Sequence, residues 1–220
     1  MHIRWQCRSL ILVLALLAVR VAGQEASVEG KVTLPKPEVA AALPPRYQSE
    51  SIAVAAPESP TAVVYLESDV AGAGGGAATN GPARMEQMNL QFRTGLLPVQ
   101  KGTTVEFPNL DEGYHNVFSY SKIKRFDLGR YRKDEKPAWQ IFDKAGVVKV
   151  YCEIHPHMRS TILVLDTPYF VKTDTNGNFR LDHLPAGKFT LKAWLSEKVV
   201  LEQSVDLASG KTARVDFPSK

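Results

Sequence analysis

The most chemically loaded stretch of this 220-residue chain is VVKVYCEIHPHMRSTILVL, residues 147–165. Val148, Val150 and Cys152 share one side of an alternating strand, and the turn beyond it offers His155, His157 and Met158 before a second apolar run begins. A thiolate, an imidazole and a thioether thus meet within one loop. That soft donor mixture selects copper over magnesium, calcium or manganese, and two imidazoles with a thiolate and a long axial thioether suit one-electron transfer. The second imidazole must come from elsewhere, and His115 in DEGYHNVFSY, at an upstream strand end, is the natural supplier. His157 is surplus to four donors and reads as a solvated neighbour, with an additional ligand role left open. Pro156 stiffens the loop by fixing its backbone. Asn116, beside His115, is short and polar enough to hydrogen-bond the ligand loops or the sulfur.

The N-terminus explains why Cys152 stands alone. Arg4 and Arg8 precede an apolar run from Leu10 to Val19, and small residues follow at Ala22 and Gly23. That order is a secretory signal peptide over 1–23, and the run is too short for a membrane span. Its removal takes Cys7, leaving Cys152 as the lone thiol in an oxidising compartment where cysteines are usually paired. A lone exported cysteine is either an inert buried thiol or a ligand, and its neighbours favour the ligand. The same removal takes Arg4, Arg8 and Arg20 and no acid from a formal charge of +4. The remainder is nearly neutral and makes no general case for nucleic acid or an anionic membrane. The expected location is periplasmic or otherwise exported, with no stable membrane anchor.

These donors need a rigid frame, and the pattern around them is all β. Residues 27–34 and 62–68 alternate like strands, while the Pro/Ala-rich 35–61 and the Gly-rich 69–83 read as irregular. Strand signals then recur in NLQFRT, TTVEFPN, HNVFSYS, AWQIFD, VVKVYC and STILVLD, with turn residues between them. A further set, VKTDTNGNF, FTLKAWLS, VVLEQSVDL and TARVDF, fills the C-terminal part. The expected division is a signal at 1–23, N-terminal strands and linker at 24–84, a metal domain at 85–166, and a β-sandwich region at 167–220. Four C-terminal strands make a thin core, so the strands within 27–68 are candidates to complete it.

The segment CEIHPHMR resembles the Cys-x-x-His-Pro-x-Met-Arg loop of the amicyanins, and FPNLDEGYHNVFS resembles the His-Asn strand end of amicyanins and plastocyanins. The resemblance covers roughly residues 90–166. It implies a cupredoxin Greek-key β-sandwich with one type 1 copper ion, held by His115, Cys152 and His155 in the equatorial plane and Met158 axially. It also implies that the exposed edge of His155 is the electron port, and that the partners are redox proteins such as an exported dehydrogenase or a c-type cytochrome. The arrangement through LDTPYFVKTDTNGNFRLDHLPAG is similar to plastocyanin-like proteins labelled methylamine utilisation proteins. The portion DTNGNFRLDHLPAGKFTLKAW resembles carboxypeptidase-regulatory, transthyretin-like domains. Two features depart from the amicyanin pattern: His157 stands where amicyanins carry an apolar residue, and SKIKRFDLGRYRKDEKPAW is longer and more basic than a minimal cupredoxin needs.

The expected function is single-electron shuttling without substrate turnover. Copper storage or delivery is the alternative. A copper oxidase would need more ligands than His157 and His183, the histidines left over beyond the signal segment. A cysteine hydrolase would need an oxyanion arrangement that the sequence does not display. Met85 and Met88 read as apolar packing, His183 as a surface residue, and Asp174, Asn176 and Asn178 as a hairpin turn lacking the terminal Glu of a calcium loop.

Overall fold

The computed structural model describes residues 25–37, 54–67 and 82–218. The expected signal segment 1–23 and most of the Gly-rich stretch 69–83 lie outside the described residues. Within them the protein is all β, with no helix.

Two strands come first, β1 (Ala26–Lys31) and β2 (Val63–Leu66). The next segment opens with three short strands, β3 (Ala83–Arg84), β4 (Gln87–Met88) and β5 (Gln91–Phe92). It continues through β6 (Leu96–Gln100), β7 (Thr103–Phe107), β8 (His115–Ser121) and β9 (Lys124–Tyr131). Then come β10 (Ala138–Phe142), β11 (Gly146–Tyr151) and β12 (Arg159–Leu165). The C-terminal strands are β13 (Phe170–Lys172), β14 (Asn178–Leu184), β15 (Gly187–Ser196), β16 (Val199–Leu207) and β17 (Thr212–Arg214).

Four sheets stack in layers, ordered β14-β1-β17, β13-β2-β15-β16, β6-β12-β11-β8-β9 and β10-β7-β3. Strand alternation creates the apolar fillings between them. Val28, Val64, Leu181, Leu191 and Val205 fill the first gap. Val105, Phe107, Val117, Val148, Val150 and Ile162 fill the last. Between them a smaller cluster of Val63, Leu96, Leu163, Leu165 and Trp194 joins the second and third layers. For this reason β12 is apolar on both faces: Ile162 and Val164 point one way, Leu163 and Leu165 the other. β1 pairs with β14 and β17, and β2 with β13 and β15, so strands from both chain ends build one sandwich. Gly30 sits where a Cβ would lie 1.8 Å from the Val215 carbonyl oxygen, so only glycine admits this close approach.

Two local expectations differ from what forms. NLQFRT is not a continuous strand. Asn89 and Leu90 both take φ of 55° and turn the chain tightly between β4 and β5. The charged stretch SKIKRFDLGRYRK, for which the sequence indicates no strand, contains β9, which pairs along β8 with Phe126 and Leu128 turned toward the core. Met85 packs in the core as expected, whereas Met88 is 38% exposed.

Candidate metal centre

β8 begins at His115, and β11, its antiparallel neighbour, ends at Tyr151. The loop before β8 and the loop after β11 therefore leave the same end of the sheet. The second loop is closed on itself, since the Met158 amide donates to the His155 carbonyl at 2.9 Å and the Cys152 amide to the Met158 carbonyl at 3.4 Å.

This arrangement brings together His115, Cys152 and His155, whose ligand atoms all lie within 4.8 Å of one another. His115 Nδ1 and His155 Nδ1 are 3.1 Å apart, and the Cys152 sulfur is 3.9 Å from the first and 3.6 Å from the second. Metal–nitrogen bonds of about 2.0–2.1 Å and a metal–sulfur bond of about 2.3 Å would set such donors roughly 3.3–3.8 Å apart around a shared centre. The observed spacings bracket that range. Two imidazole nitrogens and a thiolate converging on one point, with His115 and Cys152 buried and His155 partly so, fit a soft cation. Met158 is fully buried in the same cluster as Cys152.

The electrostatics favour the ligand form of the sulfur. Burial by itself would push the Cys152 thiol up. Hydrogen bonds from His115 and His155, with the backbone N–H groups of Asn116 and His155, overcome it and bring the thiol down to about 5. Burial likewise disfavours charge on His115, and its bonds to Cys152 and Asp111 outweigh that and raise it.

Asp111 is the residue that sequence reasoning missed. Its carboxylate accepts from His115 Nε2 at 2.8 Å, from the Asn89 amide at 2.7 Å and from the Leu90 amide at 3.0 Å. Burial alone would raise its carboxyl, and the Leu90 amide, His115 and the Asn89 amide together hold it below the usual range. A carboxylate on the outer nitrogen fixes the tautomer that leaves Nδ1 free to bind. The only signal available was an acid four residues before the histidine. The same turn reaches the other ligand loop, because His157 Nε2 lies 2.9 Å from the Leu90 carbonyl and donates to it. One strained turn thus ties both loops down, consistent with backbone strain being held at functional sites.

Asn116 joins the loops from the other side. Its Oδ1 accepts from the Glu153 amide at 3.3 Å, and its Nδ2 donates to Asp127 at 2.6 Å and to the Gly129 carbonyl at 3.1 Å. The Pro156 carbonyl accepts from Arg159 Nε at 3.2 Å. Deeper in, Tyr131 donates to the Phe107 carbonyl at 2.7 Å and receives a bond from Gln87 Nε2, also at 2.7 Å. Away from the site, His183 pairs with Glu25 at the surface. Asp174 caps its own turn by accepting from the Asn176 and Asn178 amides.

No protein-family model matches the chain, and no curated protein matches it. Solved structures do. A Cu(I) form of an amicyanin variant is 22% identical with a TM-score of 0.36, covering 40% of this chain and 86% of that one. A reduced amicyanin variant is 25% identical with a TM-score of 0.35 over the same shares of 40% and 86%. A copper-containing nitrite reductase from Thermus scotoductus SA-01 is 24% identical with a TM-score of 0.35, over 41% of this chain and 25% of that one.

Proposed function

We propose that this protein is an exported type 1 copper electron-transfer protein with a cupredoxin lobe, residues 85–166. The lobe is flanked by a transthyretin-like sandwich from the two chain ends. His115, Cys152 and His155 would hold one copper ion, with Met158 as a fourth, soft donor. The observation that carries this reading is the convergence of the Cys152 sulfur with two Nδ1 atoms, those of the buried His115 and the partly buried His155. Bound copper would supply a single redox electron. The chain's residues do the rest: Asp111 orients His115, Asn116 and the closed 152–158 loop hold the thiolate in place, and Met158, Phe92 and Val117 pack among the residues that keep water out. His155 is only partly buried, so its ring edge offers a contact to a redox partner such as a dehydrogenase or cytochrome. No substrate is turned over.

The test is a spectrum. Copper-loaded protein should be intensely blue and bleach reversibly on reduction, and Cys152→Ser should lose the band. A colourless copper complex would overturn the reading.

A further inference from the structure

β12 is apolar on both faces because a second sandwich covers its outer one, and β10 carries the same pattern without that cover. Ala138 and Phe142 pack into the core of the metal lobe, while Trp139 and Ile141 alternate with them onto the outer face of the β10-β7-β3 sheet. Trp139 is 51% exposed and Ile141 43%. One exposed apolar side chain is ordinary, whereas two on one strand face, in the wall of a groove, mark a binding surface. The groove has a volume of about 1040 Å³, at the upper end of the range of small-molecule sites. Its other wall comes from β6 and β13, the outermost strands of their sheets, with Leu97, Val99 and Phe170. None of the metal-binding side chains lines it.

Charge is graded along this groove. Three cations line it, Arg84, Lys136 and Lys172, against one acid, Glu106. Arg84 meets Glu106 at 4.0 Å and Lys172 pairs with Glu58. Lys136 is exposed and has no acidic partner among the described residues. The register shows where they stand. Trp139 and Arg84 both lie level with Glu106, Ile141 lies level with Thr104, and Lys136 precedes β10 at its Trp139 end. β6 and β7 are joined at the opposite end, where the Gly102 amide donates to the Phe142 carbonyl at 2.7 Å, so β6 starts at the Trp139 end. Lys172 belongs there too, because Glu58 also accepts from the Gly95 amide just before β6. The lining at the Ile141 end, which includes Gln100, Thr103 and Thr104, carries no charge.

We infer that this groove binds an anionic amphiphile, a free medium-chain carboxylate. Its head meets Lys136 and Arg84, and its alkyl chain lies over Trp139 and Ile141 against Val99 and Phe170. The five residues of β10 run about 16 Å, room for such a chain. Burial of the chain supplies the affinity, and the cations fix which way round it lies. Binding involves no redox step and does not depend on the metal.

Dodecanoate, kept below its micelle concentration, tests this on the full chain. Followed by NMR, it should saturably shift the Trp139 indole and the Val99, Thr104 and Ile141 amides, and calorimetry should count one site. Lys136→Glu should weaken binding about tenfold and Trp139→Ala at least as much, while Lys136→Arg should preserve it. Both side chains are exposed, so these variants should melt with the parent. Dodecyltrimethylammonium, the same chain with a cationic head, should bind at least about tenfold more weakly. Equal binding of the two amphiphiles, unchanged affinity in both Lys136→Glu and Trp139→Ala, or no saturable shift in the groove would overturn the inference. So would a Trp139-dependent dimer in sedimentation, or Trp139-dependent flotation with phosphatidylglycerol vesicles, in a chain that ignores monomeric dodecanoate: the groove would then belong to a second copy or to a membrane surface. The copper spectrum is read separately. A blue protein that fails these titrations keeps the electron-transfer reading and loses the groove, and a colourless one that passes them does the reverse.

Discussion

Replacing Asp111 by alanine should damage the site before any metal arrives. The carboxylate holds three donors at 2.7, 3.0 and 2.8 Å, two from the strained turn and one from His115. A hydrogen bond to a charged group contributes about 1.5–3 kcal/mol. The Asn89 amide lies near solvent and water can replace its bond, whereas the Leu90 residue is only 7% exposed and its amide would be orphaned. Metal-free Asp111→Ala should therefore lose about 3 kcal/mol in urea denaturation, part of it through the unsupported φ of Leu90. The variant should also bind copper about 10–100-fold more weakly, the usual loss when the outer partner of a ligand histidine is removed. Asp111→Asn is the intermediate case. Oδ2 already accepts from both the Leu90 amide and His115 Nε2, so an amide oxygen there keeps both bonds, while its NH2 group faces the Asn89 amide and the charge is lost; stability and affinity should both fall only partway. Chelator competition reads the affinity. An Asp111→Ala affinity within about twofold of the parent, or full recovery in Asp111→Asn, would refute the positioning role.

Other outcomes follow from the same geometry. In metal-free protein the Cys152 thiolate absorbance should titrate near pH 5, far below an ordinary thiol at about 8.5. Because the folded value is the lower one, the thiolate's stabilising contribution is complete above the unfolded pKa and drains away as pH falls toward 5. His115→Ala should move that midpoint upward, and a parent midpoint of 8 or more would sink the account. Gly30→Ala, whose Cβ would meet the Val215 carbonyl, should lower stability by about 3 kcal/mol in thermal melts, and an unchanged melting temperature would show that β17 is dispensable. Trp194→Ala should cost about 3–5 kcal/mol, opening the contact between the second and third layers to protease. Cleavage no faster than in the parent would contradict that placement.

How much of this could be read in advance depended on the range of each interaction. Cys152, His155 and Met158 share one short loop, so their spacing alone displays them, and the loop after β11 brings Cys152 and His155 beside His115 at the start of the paired strand β8. Asp111 acts through contacts with a turn some twenty residues earlier, and nothing in its own neighbourhood reveals which backbone amides will face it. Leu90 illustrates the same limit. An apolar residue in NLQFRT reads as strand by propensity, and only the carboxylate across the gap makes its left-handed turn tenable. β9 was hidden for the opposite reason. Its lysine, two arginines and aspartate mask an alternation that becomes visible once Phe126 and Leu128 are seen to face inward.

The pairing of β1 with β14 and β17 carries a consequence for the order in which the molecule is made. Ser27 meets Thr212 across 185 positions of chain, so the first strand to leave the ribosome must wait for nearly the last. The ten strands from β3 to β12 find their partners among themselves. Loop closure over short spans precedes closure over long ones. The metal loop should thus be assembled while the two ends are still apart. The sandwich built from those ends then acts as a clasp, fastened only on a chain whose C-terminal strands have been completed.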